Sequence, residues 1–581
     1  MQNSILITLR QRLRVASSGD RLRKGLIILL LLSPTLALSA VLFVGPLIES
    51  LLTSLRTSEG ALTLTNYRHI FTSRGYRIDF VFTLAISLGT VLASTLLALP
   101  LALVLRESFW GRGALWLIAL LPFVTPHVVA AYALRLTLSS TSPFLFWLPQ
   151  GGADGIVLVN AWPGLLIALT WKFYPVLLLT LTAALQGLPA GYEEAARDLG
   201  AGWWRRLRTI LLPLIAPGWL AGATLVFVLA ASQFTITLII YGGQRVTTIP
   251  LGIYFETFSS RRPGIAAALG MVLLLVTLLI VAITARWIRS RSRRWSASGL
   301  AGLGTRAQVN RTAVAQGTRL WRWLVITATL LFVLGPVLCL ILTSFSGQWL
   351  GGTPLPTRYT LHWYSYLFRY ENGLAALGQS TWIALATTIL TSAAAVPTSY
   401  ALARYQFWGR DVIEHLFLAK TATPIIVIAV GTAVLFYRWR ITDTFIGIVL
   451  AHSVGALPLA VRSITAAFER TDRAQEEAAR DLGAGALRRF FRIVLPGVLG
   501  GIMGGAALAF LFSMDEFTVT FLISGVRYTT LPLRLYSTLN QGYIEPAAAA
   551  AVILLVPSLL FLGLLLRLFG SQQLPQSSHY S

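Results

Sequence analysis

The phrase EEAARDLGAG stands at Glu193–Gly202 and again, letter for letter, at Glu476–Gly485. Subtracting positions (477 − 194 = 283) gives an offset that holds without a gap from Glu193–Pro213 to Glu476–Pro496. The same register pairs Pro175 with Pro458, Thr182-Ala183-Ala184 with Thr465-Ala466-Ala467, Phe234 with Phe517 and Gly242 with Gly525. TTIPLGIY from Thr247 and TTLPLRLY from Thr529 match after a shift of one residue. The halves of the chain are therefore two copies of one unit. Six apolar runs separate equivalent positions, so the copies share an orientation and are expected to be related by an axis along a membrane normal.

A membrane is implied by composition. The 581 residues are 55% hydrophobic and 12% charged, with a mean hydropathy of +0.71, whereas a soluble domain carries about 25% charged residues. Apolar runs of the roughly 20 residues that cross a bilayer recur throughout. They fall at about 25–50, 79–105, 113–136, 160–186, 209–238 and 264–288, then at about 319–345, 375–403, 412–437, 443–468, 492–523 and 547–569. The expected fold is an all-α membrane protein of about twelve transmembrane helices in two parallel six-helix repeats. Its segments are a cytoplasmic N-terminal segment 1–24, a first repeat 25–288, a cytoplasmic linker 289–318 rich in Gly, Ser, Ala and Arg, a second repeat 319–569 and a cytoplasmic tail 570–581.

The net charge of +25 resides in arginine clusters beside the apolar runs, such as Arg10, Arg12, Arg14, Arg21 and Arg23, and Arg286, Arg289, Arg291, Arg293 and Arg294. That placement follows the positive-inside rule and puts both termini and both repeated phrases on the cytoplasmic side. No basic aromatic module accompanies the charge, so nucleic acid is excluded as a partner. The first apolar run continues to Ile48, too long for a cleaved leader. A lone Cys339 forbids an intrachain disulfide, and the six histidines show no ligand spacing, so no metal is expected.

Each repeated phrase combines helix-forming Glu, Ala, Arg and Leu with a glycine, a basic turn and an Ile-x-Leu-Pro that opens the next apolar run. The pattern predicts a short cytoplasmic helix, a tight bend at Gly200 or Gly483, and a second helix entering the membrane. Asp472, three residues before Gln475, predicts an N-terminal capping pair in the second copy. Motion at the tip of such a lever moves the span that carries it.

These residues resemble the EAA loop of the inner-membrane permeases of binding-protein-dependent ABC importers, type I, with the fold called MetI-like. The pattern is E-A-A, three residues, G, nine residues, I-x-L-P. It is met by Glu194-Ala195-Ala196, Gly200, Ile210 and Leu212-Pro213, and by Glu477-Ala478-Ala479, Gly483, Ile493 and Leu495-Pro496. The resemblance implies that Glu193, Glu194, Ala195, Ala196, Arg197, Asp198 and Gly200, with Glu476, Glu477, Ala478, Ala479, Arg480, Asp481 and Gly483, couple the chain to two separate ABC ATPase subunits. It also implies a periplasmic or lipid-anchored solute-binding protein, a small solute, the cell inner membrane as location, and a transport subunit without catalysis or cofactor of its own. ATP belongs to the partner: Lys24, Lys172 and Lys420 are the only lysines, and none ends a phosphate loop.

The solute stays open among ferric iron, thiamine, polyamine and aminophosphonate. The fused layout is similar to ferric-iron and thiamine permeases, and DEFTVTFLISGVRYTTLPLRLYS to the polyamine and aminophosphonate branch. Asp515 and Glu516 interrupt an apolar run where the first repeat has Ser232 and Gln233, and carboxylates at membrane depth mark pathways or partners. These four are the pathway candidates; pairing of the acids with an arginine such as Arg527 is the alternative. Gly218 and Gly222, and Gly497, Gly501 and Gly505, allow close helix approach, either across the central interface or in ordinary packing. An ion-coupled secondary transporter is the alternative function.

Overall fold

The computed structural model describes residues 18–57, 60–139, 142, 158–188, 191–242, 244–297, 318–349, 353 and 355–570. Most of the N-terminal segment, residues 298–317 of the linker and all but the first residue of the tail lie outside the described residues. Every regular element described is helical; backbone hydrogen bonds closed within a segment are what a hydrocarbon solvent demands. Among the described residues, nine helices are long and apolar enough to cross a membrane, or ten if one bent pair counts as a span. Shorter apolar helices at Ile425–Arg438 and Ile544–Leu560 occupy two of the remaining expected runs.

Four expected runs are broken where a polar or proline step interrupts them, the run at 209–238 between Leu212–Ala231 and Thr235–Ile240. The run at 113–136 is two helices, Arg112–Val124 and His127–Leu138, bent by 103°. Thr125-Pro126 lies at the bend, where the proline ring excludes helical geometry from the residue before it. Thr423-Pro424 likewise divides Arg410–Ala422 from Ile425–Arg438. The run at 492–523 ends as a long helix at Asp515 and resumes as a short one, Thr518–Ile523. At the other repeat boundary the helix Pro263–Ala297 continues through the basic cluster where the linker was expected to begin.

The chain divides into two compact units. The first comprises residues 1–44, 384–420 and 452–513. Its core gathers Leu402, Phe417, Leu457, Ile464, Phe468, Val494 and Val498. The N-terminal helix Ser18–Ser39 joins it through Thr35, whose hydroxyl donates to the Ala394 carbonyl at 2.8 Å and lies 2.8 Å from that of Thr398. Gly501 lies against Ala467: an added Cβ would come within 2.1 Å of the alanine Cβ.

The second unit comprises residues 45–383, 421–451 and 514–581. Helices Arg74–Leu105, Trp162–Gln186 and Leu212–Ala231 pack together, with the Trp219 indole donating to Thr95 at 3.0 Å. Gly218 lies against Ala184, where an added Cβ would approach to 2.6 Å. This pair stands in the 283-residue register with Gly501 and Ala467. The glycines thus serve close packing between neighbouring helices of one repeat.

Candidate functional site

Both repeated phrases fold alike. The first forms the helix Gly191–Asp198 and the second Arg473–Asp481. Gly200 then takes φ 76° and Gly483 φ 80°, the left-handed conformation that closes a helix and that glycine adopts without steric cost. The closing hydrogen bonds match one for one. Gly200 donates to Arg197 at 2.9 Å and Ala201 to Ala196 at 2.9 Å, while Gly483 donates to Arg480 at 2.9 Å and Ala484 to Ala479 at 3.0 Å. Each chain then runs through a four-residue helix, a π-helical turn at Leu207–Leu211 or Phe490–Val494, and the long helix beyond. Pro213 and Pro496 explain that turn, because a proline removes one i to i−4 bond and the ladder widens to accommodate it.

The helix faces divide the phrase into two sets. Ala196 and Ala479 are buried, and Glu193 and Glu476 are half-buried. Glu194, Arg197, Asp198 and their counterparts Glu477, Arg480, Asp481 are exposed, as are Leu199 at 88% and Leu482 at 89%. One exposed leucine beside three exposed charges forms an amphipathic tip on each loop. The inward glutamates are anchored: Glu193 pairs with Arg106, and Glu476 lies 3.4 Å from Arg404 and accepts from the Tyr400 hydroxyl at 2.6 Å. Asp472 caps the second helix by accepting from Ala474 at 2.9 Å.

The arginine anchors stand in the sequence as a second repeat. RESFWGR at Arg106–Arg112 and RYQFWGR at Arg404–Arg410 match at an offset of 298 (404 − 106 = 298), outside the register of the longer repeat. Gly111 and Gly409 share positive φ, 86° and 93°. A pattern of arginine three residues before Phe-Trp-Gly was the available signal for these partners.

The pathway candidates lie at the break between the long and short helices of each repeat. Asp515 accepts from the His127 backbone N–H at 2.6 Å and lies 2.7 Å from its ring Nδ1. It thereby caps the first turn of His127–Leu138. On the other side of the same bend, Lys172 donates to the carbonyls of Pro122, at 3.1 Å, Phe123, at 3.3 Å, and Thr125. An acid at the amide end and a base at the carbonyl end satisfy the groups that a broken helix leaves open, with the sign that the helix dipole favours. The backbone N–H of Arg527 donates to Asp443 at 3.0 Å. The carboxylate of Glu516 accepts from Val519 at 2.8 Å. Gln233 is 7% exposed, and its Nε2 has no hydrogen-bond partner among the described residues.

Beyond these breaks, Thr235 and Thr518 meet hydroxyl to hydroxyl at 3.1 Å. They are equivalent residues of the two repeats, 283 positions apart.

The family model described as binding-protein-dependent transport system inner membrane component matches residues 91–294 and 395–572, more than half of the chain. The chain is 25% identical over 494 residues to the thiamine transport system permease protein of Haemophilus influenzae, covering 82% of this chain and 86% of that one. It is 30% identical over 246 residues to the spermidine/putrescine transport system permease protein of Escherichia coli, covering 42% of this chain and 90% of that one. Among solved structures it is similar to a bacterial ABC transporter involved in alginate import, with 22% identity and a TM-score of 0.40, over 47% of this chain and 98% of that one.

Proposed function

The chain belongs to the inner membrane components of binding-protein-dependent transport systems, and we propose that it is the complete translocating permease of an ATP-driven importer, two family domains fused in one polypeptide. Its termini and both loops face the cytoplasm, where each amphipathic tip docks on one of two ABC ATPase subunits that bind and hydrolyse ATP. A solute-binding protein delivers the solute on the opposite side. Ser232, Gln233, Asp515 and Glu516 stand where the pathway narrows. The names of the relatives favour thiamine or a polyamine over ferric iron or aminophosphonate, and do not favour ion-coupled secondary transport.

The observation that carries this reading is the matched display of the loops. The same exposed charges and leucine project from two helices, each closed by a left-handed glycine and tied by its inner glutamate to an arginine. A solvated loop has no need of an identical outer face twice; two identical partner sockets do. Motion imposed on either tip passes directly into the long helix that follows it, which is the mechanical requirement for coupling.

The test is coexpression of the full chain with the ABC ATPase of its own genome. Glu194→Lys together with Glu477→Lys is expected to leave membrane insertion unchanged and to lower ATP-driven uptake and copurification of the ATPase at least about tenfold, the loss of roughly 1.4 kcal/mol at an interface. Unchanged copurification and uptake would overturn the docking assignment.

A further inference from the structure

The Thr235–Thr518 contact is surrounded by aromatic rings drawn from both repeats. Phe521 occupies the middle, with ring centroids 5.1 Å from Phe517, 5.3 Å from Tyr536, 5.6 Å from Tyr254 and 6.2 Å from Phe234. Tyr254 and Tyr536 are the matching tyrosines that end TTIPLGIY and TTLPLRLY. Phe234 and Phe517 are buried, whereas Tyr254, Phe521 and Tyr536 are partly exposed, so the cluster has a closed floor and an open side. The central ring comes from the second repeat alone, because the position equivalent to Phe521 is Leu238 (521 − 283 = 238).

Among the described residues, the arginine and lysine contacts with aromatic faces fall on Phe109, Phe43 and Phe417, none of them in this cluster. The electron-rich ring faces thus carry no cation from the chain itself. Two buried polar groups adjoin the floor rings in sequence: Glu516, whose carboxylate accepts from Val519, next to Phe517, and Gln233, whose Nε2 has no hydrogen-bond partner among the described residues, next to Phe234. Ring faces beside a carboxylate favour an organic cation over an anion or a neutral solute.

We infer that Tyr254, Phe521 and Tyr536 form an aromatic constriction on the translocation pathway that binds organic cations, of the ammonium or N-alkylated ring type, as they pass. This rests on the permease reading above and specifies its substrate class. Ring–ring contacts and cation–ring contacts are of similar strength, so a cation can take the place of one ring against another without a large barrier. The same rings seal the axis when no cation is present.

Two measurements on the full complex separate this inference from its premise. The first is equilibrium binding of labelled thiamine and labelled spermidine to the detergent-solubilised, nucleotide-free complex; the second is ATP-driven uptake of the same two cations into proteoliposomes. Phe521→Leu, which restores the residue of the first repeat, is expected to weaken cation binding about tenfold and to raise the half-saturating concentration for uptake by the same factor. Tyr254→Phe and Tyr536→Phe, which keep the rings, should remain within about twofold of the parent. Undiminished binding by Phe521→Leu, or binding and transport of neutral or anionic solutes only, would overturn the cation site while leaving the importer intact. Cation binding without ATP-driven uptake would instead sink the importer reading and leave the aromatic site standing.

Discussion

The two EEAARDLGAG loops have the same ten letters and the same outer face, yet they are held from behind by unequal means. Glu193 meets Arg106 in a pair whose side chains are 28% and 21% exposed in the order Arg, Glu. Glu476 meets Arg404 in one that is 7% and 19% exposed, and it adds the Tyr400 hydroxyl. The second loop also has Asp472 as a cap, Arg473 donating to the Ala403 carbonyl at 2.6 Å, and Arg489 donating to Ala484 at 2.6 Å. At the position of Asp472 the first repeat has Pro189 (472 − 283 = 189). What is kept identical is the surface a partner would touch. The supports have diverged because any set of contacts that fixes the helix will serve.

The largest expected effect that tests this comparison is the loss of an anchor. Arg404→Ala leaves Glu476 half-buried without a counter-charge, with the Tyr400 hydroxyl as its remaining partner, and should destabilise the second loop by about 3 kcal/mol, near the lower end for a broken buried pair. Arg106→Ala, at a more solvated pair, should cost about 1 kcal/mol. Hydrogen exchange across residues 473–483 and 191–200 measures both, and equal loosening of the two loops would break the comparison.

Next in size, Gly200→Val and Gly483→Val each force a β-branched residue to positive φ, at a cost of about 1–2 kcal/mol. The two glycines have nearly the same φ, so the effects should agree. Uptake assays combined with exchange at Ala201 and Ala484 would show whether they do. Asp472→Ala should cost about 1 kcal/mol through the lost cap, seen as faster exchange at Ala474 with no change in the first loop. The smallest effect is expected from Arg480→Ala. Its contact with Asp481 is 3.9 Å long and open to solvent, so stability should change by no more than about 0.5 kcal/mol, and a loss of uptake there would report on the partner surface alone.

Much of this architecture was readable because it repeats. An ungapped register and a fixed glycine spacing specify a bent helical lever, and Gly200 and Gly483 adopt the left-handed backbone that the bend requires. The duplicated hydrophobic runs likewise announce a helical membrane protein. What the runs conceal is where they break. Thr125-Pro126 sits inside an apolar stretch, and hydropathy averages over the 103° bend that the proline produces. The partner of Asp515 was hidden for a different reason: His127 is 388 residues away, and no local pattern encodes that pairing. The arginine anchors were visible as basic flanks but not as partners, since the second register differs from the first by fifteen residues (298 − 283 = 15). The glycine rows told of close approach without telling which helices approach.

The anchoring of Glu193 to Arg106 has a consequence for stiffness. The chain ties the first loop to the helix that follows it, and the ion pair ties it sideways to the residue that ends Arg74–Leu105. Two members meeting at one joint, cross-braced by a third contact, make a triangle, and a triangle cannot shear without stretching a side. A push on the tip is therefore shared between two struts as thrust instead of being absorbed as bending. Cutting the brace would leave a free hinge, and the same push would then swing the loop while the rest of the frame stood still.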